Sequence, residues 1–165
     1  MATQWITEAA KQYDQDLRQK RREDALQRRR EEMERDRLNR IAAEGPALGA
    51  ELWAGLQSVI NHDVAEFNQE FGDTVIRTKA LGDGTFEVHF GAPGGTAKIA
   101  ALNYAPDTTT LSWHIFGGGK GTPLKVGLQR GTDLQPNTNG LQFTDERTYY
   151  TLDVISRQII ENLLP

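Results

Sequence analysis

The sequence contains no cysteine, and this single absence excludes several chemistries. Disulfides, thiolate nucleophiles, iron–sulfur clusters and cysteine-ligated zinc sites all require that residue. The chain also lacks an apolar run long enough to cross a bilayer. Its opening, MATQWITEAAKQYDQD, has no basic stretch followed by an apolar one, as a secretion signal would have. We therefore expect a cytoplasmic protein without a membrane span.

The sequence also lacks a strong basic excess. Residues 1–44 hold eleven Lys/Arg and ten Asp/Glu, whereas residues 45–165 hold eight and thirteen. A generic nucleic-acid-binding protein concentrates positive charge to match the phosphates. We therefore expect the partner to be another protein, or a second copy of this chain, rather than a nucleic acid.

Residues 1–44, called the arm below, are predicted to form one charged helix. Thr3 is a suitable cap, and no glycine or proline occurs before Gly45-Pro46, which is expected to end the helix. Acidic and basic side chains recur four residues apart, as in Asp14 and Arg18, and such pairs support an isolated helix. Apolar residues at helical spacing gather near its start, and four of them form what we call the arm stripe: Trp5, Ile6, Tyr13 and Leu17.

Three interpretations of the arm remain open. It is a solvated spacer, a docking helix or weak coiled coil, or an arginine-rich RNA-binding helix. A stable coiled coil needs apolar a and d positions over three or four heptads, and QKRRED at 19–24 interrupts them. The RRR at 28–30 is followed at once by two glutamates, which neutralise its field. Because an exposed tryptophan is costly to leave in water, we expect the arm stripe either to fold back on residues 45–165 or to bind another chain.

Residues 45–165 are predicted to form an α+β domain. A second amphipathic helix is expected from about 48 to 71, ended by Gly72. Apolar residues then alternate with a period of two in stretches separated by turns such as GDG at 82–84. A last helix is expected over 145–164, capped by Thr144 or Asp145. The pattern favours two layers, an antiparallel sheet of five or six strands packed with two amphipathic helices.

The face of this sheet that the helices leave uncovered, called the open face below, carries the candidate ligand residues. Strand alternation places Glu87, His89 and His114 on it. The same counting adds four cations, which form a candidate anion-binding surface: Arg77, Lys79, Lys98 and Lys125. We weigh three readings of this face, namely a solvated surface, a surface that binds an acidic peptide, lipid headgroup or nucleic-acid backbone, and a metal or acid–base site that also uses Ser112.

No motif of an enzyme is complete in this sequence. GGGKGT at 117–122 resembles a phosphate loop, but it lacks the required first glycine and a strand is expected after it. Neither a serine nucleophile elbow nor a His-Glu-x-x-His zinc site occurs. We therefore predict no catalytic residue, metal or cofactor, and a small non-enzymatic interaction or adaptor protein. The alternative is an enzyme or a small-ligand or anion-binding domain that uses the open face around Glu87, His89 and His114.

Overall fold

The computed structural model describes residues 2–91, 97–116, 124–128, 141–145 and 147–165. The chain divides into two units, Met1–Arg40 and Ile41–Pro165. In the described ranges, no helix combines the length and the apolar character needed to cross a membrane. That residues 45–165 fold as a domain on their own stays a prediction.

The first helix, α1, extends from Ala2 to Phe71 and contains Pro46. The predicted end of the helix at Gly45-Pro46 and the predicted start of a second helix near 48 were therefore wrong. A proline inside a helix loses one hydrogen bond and crowds the preceding turn, at a cost of roughly 3 kcal/mol. Apolar residues that follow it on α1, among them Leu56 and Ile60, are fully buried in the core, and this packing offsets the cost. Gly72 follows the helix with a φ of +83°, as predicted for a terminating glycine.

The part of α1 in the first unit is a solvent-exposed helix. From Thr3 to Asp36 every side chain is exposed except the half-buried Leu17. Asp14 and Arg18 form the predicted ion pair at 2.8 Å, and the Gln19 amide donates to Glu23 at 2.9 Å. Each such pair contributes roughly 0.2–0.5 kcal/mol, so helix propensity and local pairs rather than a core maintain this segment.

The second unit contains an antiparallel sheet whose main part is four long strands in chain order. These are β1 (Ile76–Gly82), β2 (Thr85–Phe90), β3 (Lys98–Ala105) and β4 (Thr110–Phe116). Three shorter described strands follow, β5 (Leu124–Leu128), β6 (Leu141–Thr144) and β7 (Tyr149–Tyr150), and β5 meets β4 through two pairs of described residues. The α+β class and the antiparallel pairing are as predicted. The predicted count of five or six strands was wrong, because four strands carry the sheet and the rest are short additions.

The last helix, α2 (Leu152–Leu163), begins later than predicted. Thr151 is its cap and accepts a hydrogen bond from the Val154 amide. Asp145, the predicted cap, instead accepts from the amides of Arg147 and Thr148 at 3.0 and 2.8 Å. This is an Asx turn, and it leads into β7 rather than into a helix.

The core of the second unit lies between one face of the sheet and the two helices. Buried side chains come from α1, all four long strands and α2, for example Ile60, Val88, Leu111 and Ile159. Asn68 of α1 fastens the start of β1, because its amide donates to the Ile76 carbonyl at 2.8 Å and accepts from the Ile76 amide at 3.1 Å. The helices therefore cover one face of the sheet and hold its first strand, which leaves the other face available.

Candidate functional site

The open face is formed by the strand residues that alternate with the core residues. On β2, Phe86 and Val88 are buried while Glu87 and His89 are half-buried on the other side. On β4, Trp113 is buried and its neighbour His114 is half-buried. The sequence therefore placed Glu87, His89 and His114 on the correct side of their strands.

The strand register arranges the open face in rows across the sheet. One row runs from Arg77 through His89 and Ile99 to Phe116. The next row runs from Lys79 through Glu87 and Ala101 to His114. The fold thus brings Arg77 beside His89 and Lys79 beside Glu87, on neighbouring strands.

Glu87 and His89 form the closest polar pair on this face. The Glu87 Oε2 and His89 Nε2 atoms are 2.7 Å apart, and the two side chains are 23% and 38% exposed. Because the pair is local to one strand and only partly covered, its first effect is to fix the orientation of the imidazole. A carboxylate that orients an imidazole in this way also occurs in acid–base sites.

His114 does not join that pair. Ala101 lies between it and Glu87 in the register, so the backbones of the two residues are about 10 Å apart. Its ring packs edge-on against Phe116, with the ring centres 4.7 Å apart, and its buried Nδ1 has no hydrogen-bond partner among the described residues. Within the described residues, no three His, Asp or Glu side chains are grouped closely enough to hold a metal ion.

The four predicted cations do not share one surface. Arg77 and Lys79 are exposed on β1, and neither makes an ion pair with any described residue. Lys98 pairs with Phe90 on the helix-covered side, and its ammonium donates to the Leu164 carbonyl at 3.2 Å. Its predicted place beside Arg77 and Lys79 was therefore wrong. Lys125 lies on β5 opposite Thr110, and its side chain is outside the described part of the structure, as is the segment 117–123 with the glycine-rich motif.

A groove of about 530 Å³ follows the β1 end of the open face. Its lining includes Arg77, Lys79, His89 and Ile99. Lys98 also borders the groove, but its ammonium is bound to Leu164. The described lining therefore combines two unpaired cations with an imidazole and an apolar side chain.

The sequence missed Ile99 and Phe116 as members of the open face. Ile99 follows Lys98 in an alanine-rich strand where alternation is hard to read, and Phe116, which is 55% exposed, ends its strand. Counting outward from the Asp83-Gly84 turn pairs Arg77 with His89, but Ile99 joins their row only through the register of β2 with β3.

The arm stripe in the first unit is a separate apolar surface. Trp5, Ile6 and Tyr13 are 64%, 52% and 70% exposed, and Leu17 is half-buried. At roughly 100° per residue the four lie within an arc of about 120° of the helix. Leu26 and Met33 are also exposed but fall outside this arc, so the stripe ends at Leu17.

Comparison of the chain with models of protein families, with curated proteins and with solved structures finds no match. The function is therefore argued from the two surfaces, the arm stripe and the open face.

Proposed function

We propose that this protein is a small, non-enzymatic interaction or adaptor module. Its arm docks on a partner or associates with a second copy, and its α+β unit binds a partner. The observation that carries the proposal is the exposure of Trp5, Ile6 and Tyr13 on one arc of a helix. Aromatic side chains are enriched at the centres of protein interfaces, where they bury a large area at low entropic cost.

The arm stripe favours a helix-in-groove contact over a long coiled coil. Its apolar side chains span residues 5–17, about three and a half turns, and the helix beyond them is charged. A coiled coil of that length is too short to be stable without support. A partner that supplies an apolar groove, or a second arm packed over the same few turns, would bury the side chains of the arm stripe. The absence of cysteine supports a cytoplasmic location.

The self-association branch is tested by light scattering on the full chain. A mass above the 18.4 kDa of one chain supports pairing. The double variant Trp5→Ser/Tyr13→Ser is then expected to return to the monomer mass. The control Gln4→Ser/Gln15→Ser changes the opposite side of the helix and is expected to leave the mass unchanged. A monomer at every concentration removes self-association and directs the test to a different protein.

A second candidate function, an enzyme or a small-ligand or anion-binding domain, is favoured by the Glu87–His89 contact at 2.7 Å. A carboxylate beside an imidazole is a common element of acid–base sites, and an imidazole is a common metal ligand. It is tested by following the His89 and His114 ring signals in NMR spectra while phosphate or Zn²⁺ is added to the full chain. Unchanged His89 signals in both titrations contradict this second function.

A further inference from the structure

Strand β1 is the first strand of the sheet, and among the described strands it pairs only with β2. In an antiparallel pair, successive residues direct their N–H and C=O groups alternately towards the partner strand and away from it. The Val75 carbonyl accepts from the Gly91 amide after β2, so residue 75 faces the partner strand. It follows that the backbone N–H and C=O groups of Arg77 and Lys79 also point towards β2. Those of Ile76, Thr78 and Ala80 point away from it.

The outward groups of β1 are not all equivalent. Those of Ile76 are occupied, because the Asn68 side chain donates to the Ile76 carbonyl and accepts from its amide. No described residue bonds to the backbone amides or carbonyls of Thr78 and Ala80. We call the stretch from Thr78 to Ala80 the β1 edge. It is a short open ladder that can pair with one more strand.

Two cationic side chains lie on the open face at the β1 edge, one just before it and one within it. Arg77 and Lys79 are exposed, two residues apart on the same side of the strand, and roughly 7 Å separates them along it. Neither has an ion-pair partner in the described part of the chain. A strand added at the β1 edge would place every second side chain of its own next to this pair.

We propose that the β1 edge binds an extended acidic segment of a partner protein by strand addition. The segment pairs its backbone with Thr78 and Ala80, and acidic side chains at alternate positions contact Arg77 and Lys79. This inference rests on the proposed function and deepens it, because it names how the α+β unit holds its partner. A nucleic acid fits less well, since it offers no alternating N–H and C=O ladder.

The probe for the test is a fluorescein-labelled peptide in which Glu alternates with Val over nine residues. The matched control peptide has the same composition with its four glutamates contiguous. Binding to the full chain is followed by fluorescence anisotropy. The alternating peptide is expected to bind about tenfold more tightly than the control, because all four of its glutamates share one face of an extended strand, whereas the control divides them two and two between the faces.

Two variants separate backbone pairing from charge attraction. Ala80→Pro removes one outward N–H, and proline is tolerated on an edge strand where that group faces away from the ladder. It is expected to weaken binding about tenfold, whereas the control Ala80→Val keeps the N–H and is expected to bind as the natural chain does. The double variant Arg77→Glu/Lys79→Glu is expected to lose binding, while Lys11→Glu in the arm is not.

Amide hydrogen exchange measured by NMR supplies a readout that does not depend on any variant. Strand addition is expected to slow exchange at the Thr78 and Ala80 amides when the alternating peptide is present. Peptide binding without slower exchange there contradicts the inference. So does binding that Ala80→Pro leaves unchanged, or equally tight binding of single-stranded oligo-dT, since both are the behaviour of a charged surface. Because none of these experiments alters the arm stripe, their failure is distinct from failure of the arm to associate.

Discussion

The Ser156 hydroxyl of α2 donates a hydrogen bond to the Asp63 carboxylate of α1, with 2.6 Å between the two oxygens. Ser156 is completely buried and Asp63 is half-buried, so this contact joins the two helices that cover the sheet. A buried hydroxyl needs a partner, and a partly buried carboxylate gains from a donor.

Ser156→Ala is therefore expected to destabilise the protein by about 1–3 kcal/mol, because the Asp63 carboxylate loses its donor in a partly covered position. Urea unfolding followed by circular dichroism measures the change. The matched control is Ser58→Ala, which makes the same substitution at an exposed position of α1 and is expected to shift the midpoint by less than about 0.5 kcal/mol. Equal effects of the two variants would contradict the role given to Ser156.

The turn between β1 and β2 contains two glycines whose alanine variants are expected to differ in stability. Gly82 and Gly84 both have a positive φ, +80° and +76°, but only Gly84 has a close neighbour. A Cβ on Gly84 would collide with the Tyr104 carbonyl oxygen, whereas one on Gly82 meets nothing within 4 Å. Gly82→Ala is expected to cost about 1 kcal/mol from backbone strain alone, and Gly84→Ala more than about 3 kcal/mol because the collision is added. Thermal unfolding of the two variants checks the order, and similar melting temperatures would refute it.

The successes and errors of the sequence interpretation have physical causes. Alternation worked on β2 and β4 because large apolar residues such as Phe86 and Trp113 contrast with polar neighbours. It failed at Lys98, because β3 mixes alanines on both faces and gives no such contrast. Pro46 was given its usual meaning of a helix end, but the burial of later α1 residues outweighed that local cost.

The turn after β6 and the open face depend on three-dimensional positions that a local sequence pattern does not contain. Aspartate is a common helix cap, so the sequence favours that role for Asp145. Only the positions of Thr148 and Tyr150 reveal an Asx turn and a short strand instead. Glu87 and His89 were placed on one face from alternation, yet the distance between them depends on side-chain conformation. The unpaired backbone at Thr78 and Ala80 required the strand order, which no local pattern contains.

Asp145 predicts a pH dependence of stability. Hydrogen bonds from the Thr148 amide, the Tyr150 hydroxyl and the Arg147 amide stabilise its ionised form and lower the pKa of Asp145 below the ordinary value of 3.8. Its contribution to stability is therefore complete above that value and is lost as the pH falls through the lower pKa of the folded state. The stability gap between the natural chain and Asp145→Asn is expected to be larger at about pH 6 than at about pH 2.5.

Urea midpoints at the two pH values measure that gap. Tyr150→Phe is the matched control, because it removes one of the three donors and leaves the two backbone amides in place. The stability gap between the natural chain and Tyr150→Phe is expected to change less with pH than the gap for Asp145→Asn. A gap that stays constant or widens on acidification contradicts the assignment of Asp145.

Photo-cross-linking tests whether the arm stripe is an association surface, as we propose. Trp5 is replaced by benzoylphenylalanine in the full chain, and the matched probe replaces Gln15, which is exposed about 140–180° away from the middle of the stripe. Each protein is irradiated in an extract of cells that express it. We expect a discrete adduct from position 5, with a second copy or with one other protein, that position 15 does not give. No adduct from position 5, or the same adducts from both positions, would contradict the claim.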